Sequence, residues 1–253
     1  MWPDKLTVVL PTSRFIPMAG FYRDVLCFPV QSQTMRDICF IAGHTGEIRV
    51  EHAAPPIGYL PTAIWVEASF VDAAYAEIKS RKEDIPLLVD LQNMYYGSRE
   101  FQVLDPDGNI TCIINYEKDL QARKVAACEN GLYAEEFRAV FYVKNLAACY
   151  RFYTEVLQMA SVYQWEEHLG DRGYKYQLCK GSTSYVETLF REPKTPLRHG
   201  IAEIYTQDIN ACFARIAERG GEFVSRGVQA DGGVPFFELQ DPDGNLIRVK
   251  ELQ

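Results

Sequence analysis

Two identical Asp-Pro-Asp-Gly-Asn segments, at 105–109 and 241–245, place paired carboxylates at corresponding points of a 253-residue chain. Paired carboxylates can move protons or bind cations. In this setting a turn between two strands explains them as well. Asp and Asn accept hydrogen bonds from nearby backbone, Pro fixes φ and Gly supplies a positive φ. Asp105, Asp107, Asp241 and Asp243 are therefore expected to serve the turn and solvent. The four histidines are scattered: His44 falls in a turn, His52 follows Glu51, His168 sits in a polar stretch, and His199 leads into a strand. Seven cysteines (27, 39, 112, 128, 149, 179 and 212) contain no Cys-X-X-Cys pair. Free buried thiols are expected, without a disulfide framework or a zinc ribbon.

The elements that position these residues repeat. Each Asp-Pro-Asp-Gly-Asn turn closes a stretch of roughly 90 residues that opens with a Phe-Tyr helix, GFYRDVL at 20–26 and RFYTEVL at 151–157. Periodicity within the first half predicts strand 6–10, helix 17–26 and strands 39–42 and 47–51. The pattern restarts with strand 63–68, helix 71–81 and strands 86–89, 99–104 and 109–114. The second half repeats it with 137–143, 146–156, 175–179 and 185–190, then 199–205, 210–218, 236–239 and 246–250. Four β-α-β-β-β units of an α+β protein result. They are expected as two domains, 1–117 and 137–253, joined by a polar connector at 118–136.

Composition narrows the function. The formal charge is −8 and no Lys/Arg cluster is present, which argues against a nucleic-acid partner. The acidity is concentrated in residues 1–117, with 9 Lys plus Arg against 15 Asp plus Glu, a field that suits a cationic ligand. No apolar run is long enough to cross a bilayer, and the opening MWPDKL lacks the regions of a signal peptide, so a cytoplasmic location is expected.

The helices FYRDVL, VDAAYAEI and INACFARI, and above all YGSREFQVLDPDGN, resemble the vicinal oxygen chelate superfamily, which includes glyoxalase I, bleomycin-resistance proteins and extradiol dioxygenases. The resemblance implies that paired units curl into two cupped eight-stranded mixed sheets around ligand cavities, the glyoxalase/bleomycin-resistance fold. It also implies metal ligands at four strand positions per domain. The matching residues are Thr7, Glu51, Ala63 and Cys112 in the first half, and Arg138, Glu187, Ile201 and Arg248 in the second. Strand alternation independently turns Thr7 and Arg138 away from their apolar neighbours. These sets lack the converging imidazoles and carboxylates a divalent ion needs. No cofactor is expected, and a divalent metal is disfavoured. Arg138 and Arg248 flanking Glu187 would instead form a charge-assisted cluster in the metal's place, or leave one Arg for an anionic ligand. Substitute sites remain as His199 with Glu203, or Cys112 with Glu51 for a soft metal. Trp65, Glu67, Tyr142, Glu203 and Tyr205 are expected on the cavity face, where they suit a flat organic ligand or fill the core.

The leading expectation is metal-independent binding of a small organic molecule, cationic and aromatic, at Trp65, Glu51, Glu67 and the aromatic face of the other half. The alternative is a lyase, isomerase or dioxygenase. In it Glu51 or Glu187 acts as general base and Arg138 or Arg248 stabilises an oxyanion, or an atypical metal site operates. A third reading is a degenerate scaffold that works through protein partners. The partner expected is a small molecule, with the protein a monomer or homodimer and neither nucleic acid nor membrane involved.

Overall fold

A computed structural model describes residues 3–55, 62–68, 70–116, 136–166, 172–190 and 199–252. His168 and nearly all of the expected connector lie outside these residues, although Glu136 already belongs to a strand.

All four β-α-β-β-β units are present. The first contains β1 (Leu6–Thr12), α1 (Phe15–Gly20), β2 (Val30–Gln33), β3 (Asp37–Ile41) and β4 (Gly46–His52). The second has β5 (Ala63–Glu67), α2 (Val71–Arg81), β6 (Leu87–Asn93), β7 (Ser98–Leu104) and β8 (Ile110–Tyr116). The third has β9 (Glu136–Val143), α3 (Leu146–Arg151), β10 (Ala160–Glu166), β11 (Arg172–Gln177) and β12 (Ser184–Phe190). The fourth has β13 (Ile201–Thr206), α4 (Ile209–Glu218), β14 (Gln229–Asp231), β15 (Val234–Gln240) and β16 (Leu246–Glu251). Strands β2, β10 and β14 escape the sequence reading because they are sheet edges, almost wholly exposed, with no apolar alternation to reveal them.

The strands form two eight-stranded mixed sheets, ordered β14-β15-β16-β13-β1-β4-β3-β2 and β10-β11-β12-β9-β5-β8-β7-β6. This pairing corrects one expectation, because each sheet takes one β-α-β-β-β unit from each half of the sequence. The first strands β1, β5, β9 and β13 are the joining strands, and all four are similar alternating segments whose sequences do not encode which will meet. By compactness the chain divides differently again. One unit holds the chain up to Val9 together with Ala139 onward, and the other runs from Leu10 to Arg138 apart from a short excursion before Ala63.

Within each half, the Phe-Tyr helix is tied to the Asp-Pro-Asp-Gly-Asn turn. Helix α1 runs into a π-helical turn at Phe21–Val25, and α3 into an equivalent turn at Phe152–Val156. The wider π spiral carries Tyr22 and Tyr153 into the core, both fully buried. Tyr22 donates to Asp105 Oδ2 at 3.0 Å, and Tyr153 donates to Asp241 Oδ2 at 3.1 Å. Asp105 and Asp241 are therefore not solvated turn residues. Each is about 4% exposed and accepts two backbone N–H groups and an Asn side chain besides the tyrosine. Burial pushes both carboxyls up, Asp241 to about 6, against the opposing pull of these hydrogen bonds. Gly108 and Gly244 supply the positive φ that each turn requires. No helix among the described residues is long and apolar enough to cross a membrane.

Candidate functional site

Alternation along each strand divides the side chains between a face packed under the helices and a polar face. In β9, Phe137, Ala139, Phe141 and Val143 are buried apolar residues, while Glu136, Arg138, Val140 and Tyr142 take the other face. Two groups of predicted site residues assemble on such polar faces.

The first lies on β1, β13, β15 and β16. Register pairs Thr7 with Glu203, Glu203 with Arg248, and Arg248 with Glu238, so a single row crosses four strands. Glu203 is fully buried. Its Oε1 accepts from Arg248 Nη1 at 2.9 Å and lies 3.2 Å from Lys250 Nζ, while Tyr205 Oη donates to Oε2 at 3.3 Å. Arg248 Nε also donates to Glu238 Oε1 at 2.8 Å. Thr7 and Tyr205 share a hydroxyl–hydroxyl bond of 3.0 Å, and the Lys5 ammonium lies 4.8 Å from the Tyr205 ring centre. The neighbouring row pairs Phe236 with Lys250 and Lys250 with Tyr205.

The second group lies on β5, β7, β8 and the start of β9. Register pairs Gln102 with Cys112 and Cys112 with Trp65, and in the next row Glu100 with Ile114 and Ile114 with Glu67. Arg138 Nη2 donates to Glu67 Oε2 at 3.0 Å and to Glu136 Oε2 at 3.1 Å, and Nη1 donates to Tyr116 Oη at 3.2 Å. The guanidinium also lies 5.4 Å from the Tyr116 ring centre and 5.9 Å from that of Trp65, within cation–π range. Trp65, Glu67, Tyr116 and Glu136 all keep partial solvent access. Glu100 is fully buried and accepts from Tyr96 Oη at 2.6 Å, Ser98 Oγ at 3.0 Å and Gln102 Nε2 at 3.0 Å.

The remaining predicted residues take other positions on the strands. Glu51, at the end of β4, pairs with Arg49 at 3.2 Å, in the other sheet from Trp65, Glu67 and Cys112. Glu187 is buried on β12 and faces Lys175 across the strand pair, in the other sheet from Arg248. Glu187 therefore stands in a different sheet from Arg248, and Glu51 in a different sheet from Cys112, so neither the full Arg138–Glu187–Arg248 cluster nor the Cys112–Glu51 pair gathers on one sheet, whereas Arg138 on β9 and Glu187 on β12 lie on adjacent strands. Tyr142 is buried on β9, four residues beyond Arg138. His199 lies against the second turn, where a Cβ on Gly244 would stand 3.1 Å from its ring, and burial lowers its pKa. Register places Glu203 level with Arg248 and Trp65 level with Cys112, each two residues beyond Ile201 and Ala63 on the same face. Lys250, Glu238, Glu100, Glu136 and Tyr116 were missed, although Lys250 and Tyr116 follow at even spacing from Arg248 and Cys112.

These donors do not fit a divalent ion. The carboxylate of Glu203 already lies within 3.2 Å of both a guanidinium and an ammonium, and the row through Cys112 offers amide, thiol and indole groups. Among the described residues no three His, Cys, Asp or Glu side chains converge on a common point.

The sequence model of the Glyoxalase/Bleomycin resistance protein/Dioxygenase superfamily matches residues 6–113 and again 137–249. The chain belongs to this superfamily. Its fold is similar to that of glyoxalase I from Zea mays, at a TM-score of 0.70 and 13% identity over 98% of this chain and 92% of that one. A mutant of the same maize protein gives 0.73 at 12% identity, covering 98% and 93%. A putative dioxygenase from Bacillus subtilis subsp. subtilis str. 168 gives 0.67 at 12% identity, covering 99% and 85%. No curated protein matches by sequence. At these identities the solved structures establish the superfamily fold and leave the chemistry to this chain's own residues.

Proposed function

We propose that this superfamily member binds a small cationic aromatic molecule without a metal ion, on the polar face built by β5, β7, β8 and β9. The observation that carries this reading is a charge ratio beside aromatic surface. Among the described residues of these four strands, Glu67, Glu136 and Glu100 place three carboxylates on a face with one guanidinium, Arg138, next to the partly exposed rings of Trp65 and Tyr116. A flat cation would stack on the indole while its charge meets the excess carboxylate. Arg138 would hold Glu67 and Glu136 in place before the ligand arrives, which lowers the ordering cost of binding. Glu51 drops out of the expected ligand set, and Tyr116 and Glu136 enter it.

Titration of the full chain with a cationic aromatic such as ethidium, followed by Trp fluorescence and calorimetry, tests the proposal. Saturable binding that Trp65→Ala abolishes and Trp165→Phe spares is expected. An equal response from an anionic aromatic of the same size would overturn it, as would stoichiometric first-row metal in protein purified without chelator.

A further inference from the structure

Away from both polar faces, the second half of the sequence surrounds a cavity of about 660 Å³. Leu157, Leu178 and Ile216 give it apolar walls, and Lys180, Arg215 and Arg219 line it with three cations. Among the described residues no Asp or Glu lines it, and no ion pair joins any of these three to a carboxylate. The Arg219 guanidinium is held from behind by the Val156 carbonyl, at 3.3 Å from Nη1. Two cysteines, Cys179 and Cys212, also line it, and burial raises both thiols above their ordinary range. Neither contributes a thiolate charge at neutral pH.

The duplication supplies an internal control. Helix α2, VDAAYAEIKSR, and helix α4 with the residue after it, INACFARIAER, align without a gap, so Ile78 matches Ile216 and Arg81 matches Arg219. At the position of Arg215 the first half carries Glu77, whose Oε1 accepts from Arg81 Nε at 2.9 Å and Nη2 at 2.7 Å. The first-half arginine is thus neutralised on its own helix. The second half reverses the sign of that neighbour, which places two guanidinium groups one helical turn apart in a protein of net charge −8. Like charges so placed are mildly destabilising, and a bound anion compensates them.

We propose that this cavity binds a small organic anion. Its phosphate or carboxylate meets the Arg215, Arg219 and Lys180 side chains, and its apolar body lies against Leu157, Leu178 and Ile216. Arginine forks suit such oxyanions because they donate two parallel hydrogen bonds. The volume falls within the roughly 300–1,000 Å³ common for small-molecule sites.

Calorimetric titration of the full chain with phenyl phosphate, benzoate and benzyl alcohol tests this. Binding of at least one of the two anions with a Kd below about 1 mM, weakening with salt, is expected, while the neutral alcohol does not bind. Benzoate equal to phenyl phosphate would identify a carboxylate site, and benzoate well below it a phosphate site. Arg215→Glu recreates the carboxylate–arginine pair of the first half at an exposed helical position. It should keep the melting temperature and weaken anion binding at least about tenfold. Lys180→Glu at the exposed rim provides a second variant, with the same expected loss, should Arg215→Glu melt early. The proposal fails if neither anion binds, if benzyl alcohol binds as well as they do, or if both variants bind like the parent. Trp65→Ala should leave this binding unchanged, so its outcome is separate from that of the cation site.

Discussion

The two polar faces occupy corresponding places in the repeat and carry opposite charge. Around Glu203, the row Glu238–Arg248–Glu203–Thr7 alternates acid and base, and the next row brings Lys250 beside Tyr205, with Lys5 against the same ring. Around Trp65 the corresponding row is Gln102–Cys112–Trp65, which is neutral, and the next brings Glu100 and Glu67 to either side of Ile114. On one face a fully buried carboxylate is shared by two cations. The other sets partly exposed aromatic rings beside an excess of carboxylate. A duplicated fold can thus assign its two faces to different tasks through a few substitutions at even spacing along the strands, without altering the backbone.

Removing the arginine from each face breaks the comparison most directly. Arg248→Ala strips one of two cations from Glu203, which has no solvent to replace it, and orphans Glu238 as well. A loss of about 3–5 kcal/mol in urea unfolding is expected. Arg138→Ala leaves Glu67 and Glu136, whose side chains are 13% and 28% exposed, to be rehydrated, so a smaller loss of about 1–2 kcal/mol is expected. Equal losses would mean that the two networks do the same structural work and would undo the distinction.

The turns extend the comparison to pH. Asp241 is raised to about 6 by burial, whereas its unfolded value lies near 3.8. The native state therefore holds a proton that the unfolded chain releases between these values. The associated stability is fully present below about 3.8 and is lost as pH rises through about 6, an effect of up to about 3 kcal/mol. Wild-type protein should gain stability relative to Asp241→Asn on going from pH 7 to pH 5. The variant itself should be less stable at pH 7 by about 1–3 kcal/mol, because its single amide oxygen cannot accept both from the two backbone N–H groups on Oδ1 and from Asn245 and Tyr153 on Oδ2. Parallel unfolding curves for the two proteins across this range would show that Asp241 titrates normally.

Much of this arrangement is visible in the chain. The four units, helices α2 and α4 and the polar faces of β1, β5, β9 and β13 follow from repeat length and alternation. The pairing of units does not, because LTVVL, AIWVE, FRAVFYV and IAEIY are interchangeable as joining strands. Placing Arg248 with Glu203, and not with Glu187, depends on that long-range choice. The buried role of Asp105 and Asp241 was equally hidden, since the same five residues describe an exposed turn and one that anchors a tyrosine from a distant helix. The π-helical turns that deliver Tyr22 and Tyr153 leave no distinct signature in GFYRDVL or RFYTEVL.

The smallest effect on folding should be the most informative about binding. Glu67→Gln removes one negative charge but keeps the shape and an oxygen that can accept from Arg138. Its side chain is only partly buried, so stability should change by no more than about 1 kcal/mol. Affinity for a cationic aromatic should nevertheless fall about tenfold, since the charge ratio around Trp65 shifts toward neutrality. Glu203→Gln on the other face should show the converse, a clear loss of stability with no change in that affinity. If Glu67→Gln leaves binding intact at low and high salt alike, the carboxylate excess does not select the ligand, and stacking on Trp65 and Tyr116 would have to account for recognition alone.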